Sequence, residues 1–457
     1  MNKIHFIGIC GISMSSLAQI LHEQGWTVTG SDLRESETSR HLEAAGIPVA
    51  IGQVAENIKP DMELIVYTAA VHEDNPELIA ARALEARCPE QTRVIERSVL
   101  LGEMIDNYEI PIGIAGTHGK TSTSSMLSYI FMEAEADPTV TIGGILRNFG
   151  TNFHIGHSPY IIYEACEYSD SFLEFRGKVN IITNIEAEHL DYFGTLENIK
   201  KSFHRFSEIM RPDGVLITGI ENAPLFSDYE GTLYTVSLDD PEADYTCANV
   251  IHHEHGLGSS FDLIFRGTNL GTLDVYVPGM HYIYDAMCAA AAALSQSISF
   301  AHVQKGLASY KTTKKRFEYK GTWNGVTMID DYAHHPSEIK ATLLAAKEVE
   351  HKELYVAFQP HLYTRTKAFL PDFVKALSLA DHVVLADIYA AREKDTHDIH
   401  SLDIARGLTE LGCDCHYFPT FEEIEKFLLK NISPGDLLIT MGAGTISTIA
   451  DSILQKN

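Results

Sequence analysis

Hydrophobic residues along this chain fall in short unbroken runs, and stretches with helical periodicity separate them. Lys3-Ile4-His5-Phe6-Ile7 is such a run, and beyond Gly8-Ile9-Cys10-Gly11 the positions Met14, Leu17, Ile20 and Leu21 repeat at helical spacing up to Gly25. A strand buried on both faces reads as a continuous apolar run, whereas a helix packed on one face repeats every three or four residues. The pattern predicts a strand, a helix and a second strand over residues 26–30 that ends at Ser31-Asp32. An acid about twenty residues beyond such a turn can hold a ribose hydroxyl while the helix start holds a diphosphate. Cys10 and Ser13 stand where the dinucleotide fingerprint has glycines, so NAD is disfavoured; a nucleotide diphosphate and a purely structural turn both stay open.

The alternation recurs with more chemistry attached. An apolar strand, Ile110-Pro111-Ile112-Gly113-Ile114-Ala115, runs into Gly116-Thr117-His118-Gly119-Lys120-Thr121 and a helical stretch over 122–134 that opens on Ser122. Glycines let backbone N–H groups approach phosphate oxygens, Lys120 can reach β- and γ-phosphates, and the Thr121 hydroxyl can ligate Mg²⁺. The spacing departs from the common phosphate loop, because Ile114 stands where the first glycine is usual.

Further strands are predicted over 160–164, 179–183, 326–330, 354–359, 382–388 and 437–441, with helices between them. Such alternation implies an α/β chain of mostly parallel sheets. The 457 residues divide into three domains in series, at 1–107, 108–314 and 315–457. The expected folds are Rossmann-like at each end and P-loop ATPase-like in the centre.

Composition narrows the function classes. A net charge of -27 supplies no basic surface for nucleic acid or anionic lipid. No apolar stretch approaches the ~18 residues that a membrane span requires, and no signal segment is evident, so a cytoplasmic protein without membrane insertion is expected. Seven scattered cysteines argue against a disulfide framework. Cys413-Asp414-Cys415 and His252-His253-Glu254-His255 lack a second half at zinc spacing and read as solvated segments.

Acids and histidines collect at predicted strand ends. Glu164-Ala165-Cys166-Glu167 follows one strand, and Thr183-Asn184-Ile185-Glu186-Ala187-Glu188-His189 follows another. Open α/β sheets bind ligands at the carboxyl ends of their strands, so these groups are placed to hold Mg²⁺ on ATP oxygens. Asp330-Asp331-Tyr332-Ala333-His334-His335-Pro336 precedes a helix, with one histidine read as facing substrate. Arg365, after the next strand, is suited to clamp a carboxylate.

Taken together and in order, Gly8 to Gly11, Gly30-Ser31-Asp32, Gly116 to Thr121, Thr183 to His189, Asp330 to Pro336, Phe358 to Arg365 and Asp387-Ile388-Tyr389-Ala390-Ala391 resemble the Mur ligase family of bacterial cell-wall enzymes. The resemblance is to the members that join L-alanine to UDP-N-acetylmuramate with ATP. The murein tripeptide ligases of wall recycling are the alternative within the family, and a non-catalytic ATP-binding regulator is the alternative outside it. The resemblance implies that Gly8, Gly11, Asp32 and Asn152 bind the UDP-sugar. It implies that Gly116, Thr117, His118, Gly119, Lys120, Thr121, Ser122, Asn184 and Arg316 bind ATP. Thr121, Glu167 and His189 would hold Mg²⁺, and Tyr332, His334 and Arg365 the amino acid. Lys120, Glu167, His189 and His334 become the catalytic candidates, in a monomer or homodimer. The chain departs from the family pattern at Tyr282 and Asp285, where amide contacts to adenine are usual, at Leu362 in place of arginine and at Arg392 in place of glycine. His204 stands where some relatives carry a carbamylated lysine, and that modification is not expected here.

Overall fold

The computed structural model describes residues 2–68, 70–146, 150–391, 393–395 and 397–456, without the side chain of Asp191. Three α/β domains follow one another along the chain, and packing groups them into two compact units: Met1–Thr235 with Ala291–Ile298, and Val236–Ala290 with Ser299–Asn457.

The first unit holds two sheets. Strands β1 (Lys3–Ile7), β2 (Thr27–Asp32), β3 (Val49–Ile51), β4 (Leu64–Tyr67) and β5 (Arg93–Glu96) form a parallel sheet in the order β3-β2-β1-β4-β5. Strand order reverses at β1, so a crevice opens at its carboxyl end, where helix Ile12–Glu23 begins. Strands β6 (Ile110–Ala115), β7 (Thr139–Leu146), β8 (Thr151–His154), β9 (Tyr160–Glu164), β10 (Val179–Ile182) and β11 (Val215–Gly219) follow in the order β11-β10-β6-β9-β7-β8. β6 lies between two parallel neighbours and feeds helix Lys120–Glu133. Leu17, Ile20, Phe172, Phe203 and Phe206 belong to one continuous buried cluster that runs beneath both sheets.

Strand β12 (Thr232–Val236) reaches the unit boundary. In the second unit β13 (Tyr245–His252), β14 (Ser259–Phe265) and β15 (Thr268–Val275) are antiparallel, a region the sequence reading did not resolve. Gly256, at φ +71°, sits against helix Pro336–Glu348 so closely that a Cβ would lie 1.7 Å from the Glu348 carbonyl oxygen. This contact, with His255 paired to Glu350 at 2.6 Å, packs the antiparallel strands with the C-terminal domain. That domain orders β16 (Glu318–Trp323), β17 (Val326–Asp331), β18 (Leu354–Phe358), β19 (His382–Leu385), β20 (Asp414–Tyr417) and β21 (Leu437–Met441) as β16-β17-β21-β18-β19-β20. Only β16 pairs antiparallel there. The expected strand at 382–388 stops at Leu385, because residues beyond it form the loop that bridges His361 to Tyr389.

Candidate active site

The phosphate loop is built from backbone. Gly116 has φ +134°, and a Cβ there would fall 2.0 Å from Thr183 Oγ1, so only glycine fits. Gly119 takes the left-handed conformation at the N-cap of helix Lys120–Glu133. Side chains from the end of β10 then fix the loop. The Thr183 hydroxyl donates to the His118 carbonyl at 2.5 Å, and Asn184 both accepts from the His118 N–H at 2.8 Å and donates to its carbonyl at 3.1 Å. Asn184, expected beside ATP, therefore acts on the loop itself. The helix start has no side-chain cap and no acid in its first turn, which leaves its positive end uncompensated. Ser122 and Thr121 are buried in that turn.

Lys120 folds back over this loop. Its ammonium donates to the Gly116 and Thr117 carbonyls and to Glu167 Oε2 at 2.9 Å. Burial alone would lower the Lys120 pKa, but Glu167, with Cys166 and Glu164, outweighs it and holds the ammonium above its usual range. Glu167 is 2% exposed, and His189 Nε2 lies 3.8 Å from its Oε1. His189 adopts φ +52° at the cap of helix Leu190–Phe193, with its ring against Tyr168. Lys120, Glu167 and His189, about seventy residues apart in sequence, thus form one cluster at the loop. A buried carboxylate beside an imidazole, at the start of an uncapped helix, is a donor set that fits a hard divalent cation.

The same unit holds the first turn. Gly8, at φ +83°, and Ile9 donate their N–H groups to the Ser31 carbonyl at 2.9 Å, while Asp32 accepts from Cys10 N–H at 2.9 Å. Gly11 caps helix Ile12–Glu23. Asn152 reaches this turn from β8, its Nδ2 donating to the Ile12 carbonyl at 3.0 Å and to Ser16 Oγ at 2.6 Å. Gly8, Gly11, Asp32 and Asn152 are therefore brought together. Beneath them lies a network that the sequence reading missed: Glu77, fully buried, accepts from Ser31 Oγ at 2.5 Å and meets His5 Nε2 at 2.8 Å. Asn75-Pro76 marks that helix start, but nothing in sequence shows that Glu77 points inward.

In the second unit Tyr332, His334 and Arg365 share one neighbourhood with His361. His334 Nδ1 donates to the Tyr332 carbonyl at 2.9 Å, and the Glu338 carboxylate lies 3.2 Å away. Arg365, 8% exposed, donates to His361 Nδ1 at 3.1 Å. The Arg316 guanidinium sits over the Tyr332 ring at 5.3 Å. Asp331 accepts from Phe317 N–H at 2.7 Å and Ala333 N–H at 2.8 Å; burial pushes its carboxyl up to about 6 against the pull of Arg316. Burial, reinforced by Arg316, brings His281 down to about 4.

The departures resolve in structural terms. Tyr282 and Asp285 are buried in the first turns of helix Met280–Ser295. Leu362 is buried at φ +69°, a backbone conformation that costs a branched side chain energy. His204 pairs with Asp228 at 3.0 Å. Arg392 lies outside the described residues.

Comparison with known proteins agrees along the whole length. Three family models match in series: Mur ligase family, catalytic domain, over residues 3–108; Mur ligase middle domain over 114–293; and Mur ligase, glutamate ligase domain, over 315–444. A UDP-N-acetylmuramate--L-alanine ligase of Agathobacter rectalis is 47% identical over 456 residues, spanning 99% of this chain and 98% of its own. One from Caldanaerobacter subterraneus subsp. tengcongensis is 40% identical over 458 residues, spanning 100% and 98%. The crystal structure of the Thermotoga maritima UDP-N-acetylmuramate-alanine ligase superposes with a TM-score of 0.83 at 28% identity, covering 100% of this chain and 99% of that one. A murein peptide ligase from Psychrobacter arcticus shares the fold, with a TM-score of 0.69 at 23% identity over 99% and 98% of the two chains.

Proposed function

This chain belongs to the Mur ligase family, and on that footing we propose that it ligates L-alanine to the lactoyl carboxylate of UDP-N-acetylmuramate at the expense of ATP. The observation that carries the reading is identity of 40–47% over essentially the full length with relatives of that name, joined to the Lys120, Glu167 and His189 cluster at the phosphate loop. The murein tripeptide reading has weaker support, since the relatives that are 40–47% identical over the full length bear the name of the L-alanine ligase.

In the proposed reaction the substrate carboxylate attacks the γ-phosphorus of ATP, giving an acyl phosphate and ADP. The alanine amine then attacks the acyl carbon, phosphate leaves, and the amine gives up a proton. Phosphoryl transfer of this kind is driven by positioning and charge neutralisation more than by covalent chemistry. The loop amides and the start of helix Lys120–Glu133 cradle the phosphates, and Lys120 exchanges its loop carbonyls for phosphate oxygens. Thr121, Glu167 and His189 would hold Mg²⁺, which supplies further positive charge at the transferring group. Asn184 serves the nucleotide side by fixing the loop.

His334 is suited to the second step. Because a neutral ring keeps its proton on Nδ1, donated to the Tyr332 carbonyl, Nε2 carries the lone pair that can take the amine proton. Arg365 clamps the alanine carboxylate, and Tyr332 borders the same pocket. Purified protein with ATP, Mg²⁺ and UDP-N-acetylmuramate tests the reading through phosphate release with L-alanine, glycine, L-serine or murein tripeptide as acceptor. Strong preference for L-alanine is expected. Preference for the tripeptide would transfer the chain to recycling, and release independent of any acceptor would exclude a ligase.

A further inference from the structure

Arg97 opens helix Arg97–Asp106 at the end of β5 and is half-buried. Its Nη1 donates to Ser13 Oγ at 3.2 Å, and among the described residues no carboxylate pairs with it. That is unexpected in a chain with 62 acidic and 35 basic side chains. A guanidinium carries five N–H donors, and removing part of it from water without an anion is costly.

Its surroundings deepen the imbalance. Ser13 lies in the first turn of helix Ile12–Glu23, whose start has neither a side-chain cap nor an acid; at the start of helix Arg97–Asp106 the N-cap is Glu96, whose carboxylate accepts from Ser98 Oγ at 3.2 Å and does not pair with Arg97. Arginine at a helix start opposes the macrodipole. A guanidinium anchored between two helix starts therefore concentrates positive potential beside the Gly8–Gly11 turn. The Asp32 carboxylate at this turn accepts from Cys10 N–H and Leu33 N–H and forms no ion pair with Arg97. If Arg97 served only to brace Ser13, an uncharged donor would suffice.

We propose that Arg97 binds the diphosphate of the sugar nucleotide, with Ser13 holding its guanidinium toward the turn. The assignment rests on the functional reading above and adds a substrate-binding residue to it. Phosphate oxygens match the planar fork of arginine and the open amides of a helix start together.

The test is calorimetric titration of UDP, UDP-N-acetylglucosamine and UDP-N-acetylmuramate, without ATP, into wild-type protein, R97A and R97K. All three ligands should bind R97A about 10- to 100-fold more weakly, as expected for losing a charge-assisted contact. R97K should recover part of the loss, while ATP affinity and the thermal midpoint stay at wild-type values. Weakening confined to UDP-N-acetylmuramate would place the guanidinium on the lactoyl carboxylate and overturn the diphosphate assignment. Unchanged affinities, or a parallel fall in ATP affinity and thermal midpoint, would overturn it in favour of a structural role. Wild-type protein that binds none of the three would overturn the functional reading along with it, which separates the two failures.

Discussion

The first unit uses one device twice and finishes it differently each time. Gly8–Gly11 and Gly116–Gly119 are both glycine turns between a buried strand and an uncapped helix. In the first turn the carboxylate is spent on backbone, since Asp32 accepts from Cys10 N–H. In the second, neutral groups from Thr183 and Asn184 fix the backbone, which leaves Glu167 for Lys120 and His189. On the proposed function the first turn only binds substrate and can use its acid as a brace. A turn at which charge is transferred keeps its acid and its cation available.

The largest expected effect is on Lys120→Ala, which separates the two turns by function. Turnover should fall about 10²- to 10³-fold or more, since an electrostatic donor to the transferring group is lost, while UDP-N-acetylmuramate affinity stays near wild type. Comparable loss of both would merge the turns into one unit. Next come the glycines. Gly116→Ala meets Thr183 Oγ1 at 2.0 Å and a positive φ, and should cost about 3 kcal/mol or more of stability. At Gly11 an added Cβ has no neighbour nearer than 3.5 Å, so Gly11→Ala should keep its thermal midpoint. Equal destabilisation of the two variants would contradict the proposed difference in tightness.

The second unit supplies a contrast, because burial there pushes an acid and an imidazole toward their neutral forms. Asp331, raised to about 6, favours the folded state at low pH; that contribution is complete below about pH 4 and is lost as pH rises through 6. His281, held to about 4, has the opposite sign: its contribution is present above about 6.5 and is lost as pH falls through 4. Each is worth on the order of 3 kcal/mol by linkage, with opposite sign. Denaturant midpoints between pH 4 and 6.5 should therefore fall with pH in His281→Gln and rise with pH in Asp331→Asn. Flat profiles in both would remove the buried-charge account. The smallest effect is on Ser31→Ala. It leaves Glu77 Oε2 short of a donor, costing about 1–2 kcal/mol, and should raise the UDP-sugar KM a few-fold with the KM for ATP unmoved.

Legibility in the sequence followed the type of interaction. Glycine turns read clearly, because a backbone that approaches phosphate constrains residue type at fixed spacing. Strands such as Tyr160–Glu164 and Leu437–Met441 read equally well as continuous apolar runs. The antiparallel strands β13–β15 did not, since they are half-exposed and carry Asn249 and His252 among their apolar positions. Glu77 and Arg97 were invisible for another reason. Each lies at an ordinary helix start, and what distinguishes them is a partner, or the lack of one, far away in sequence.

The sequence by itself determined the order of α/β elements, the two glycine turns and the identity of the groups that can meet phosphate and metal, because local backbone geometry and hydrophobic period are properties of neighbouring residues. Only the tertiary structure decided that Glu167 faces Lys120, that Asn184 braces the loop and that Asp32 is bound to Cys10 N–H. Those pairings depend on which strand ends the sheet order brings side by side, and strand order is set by packing over the whole buried core.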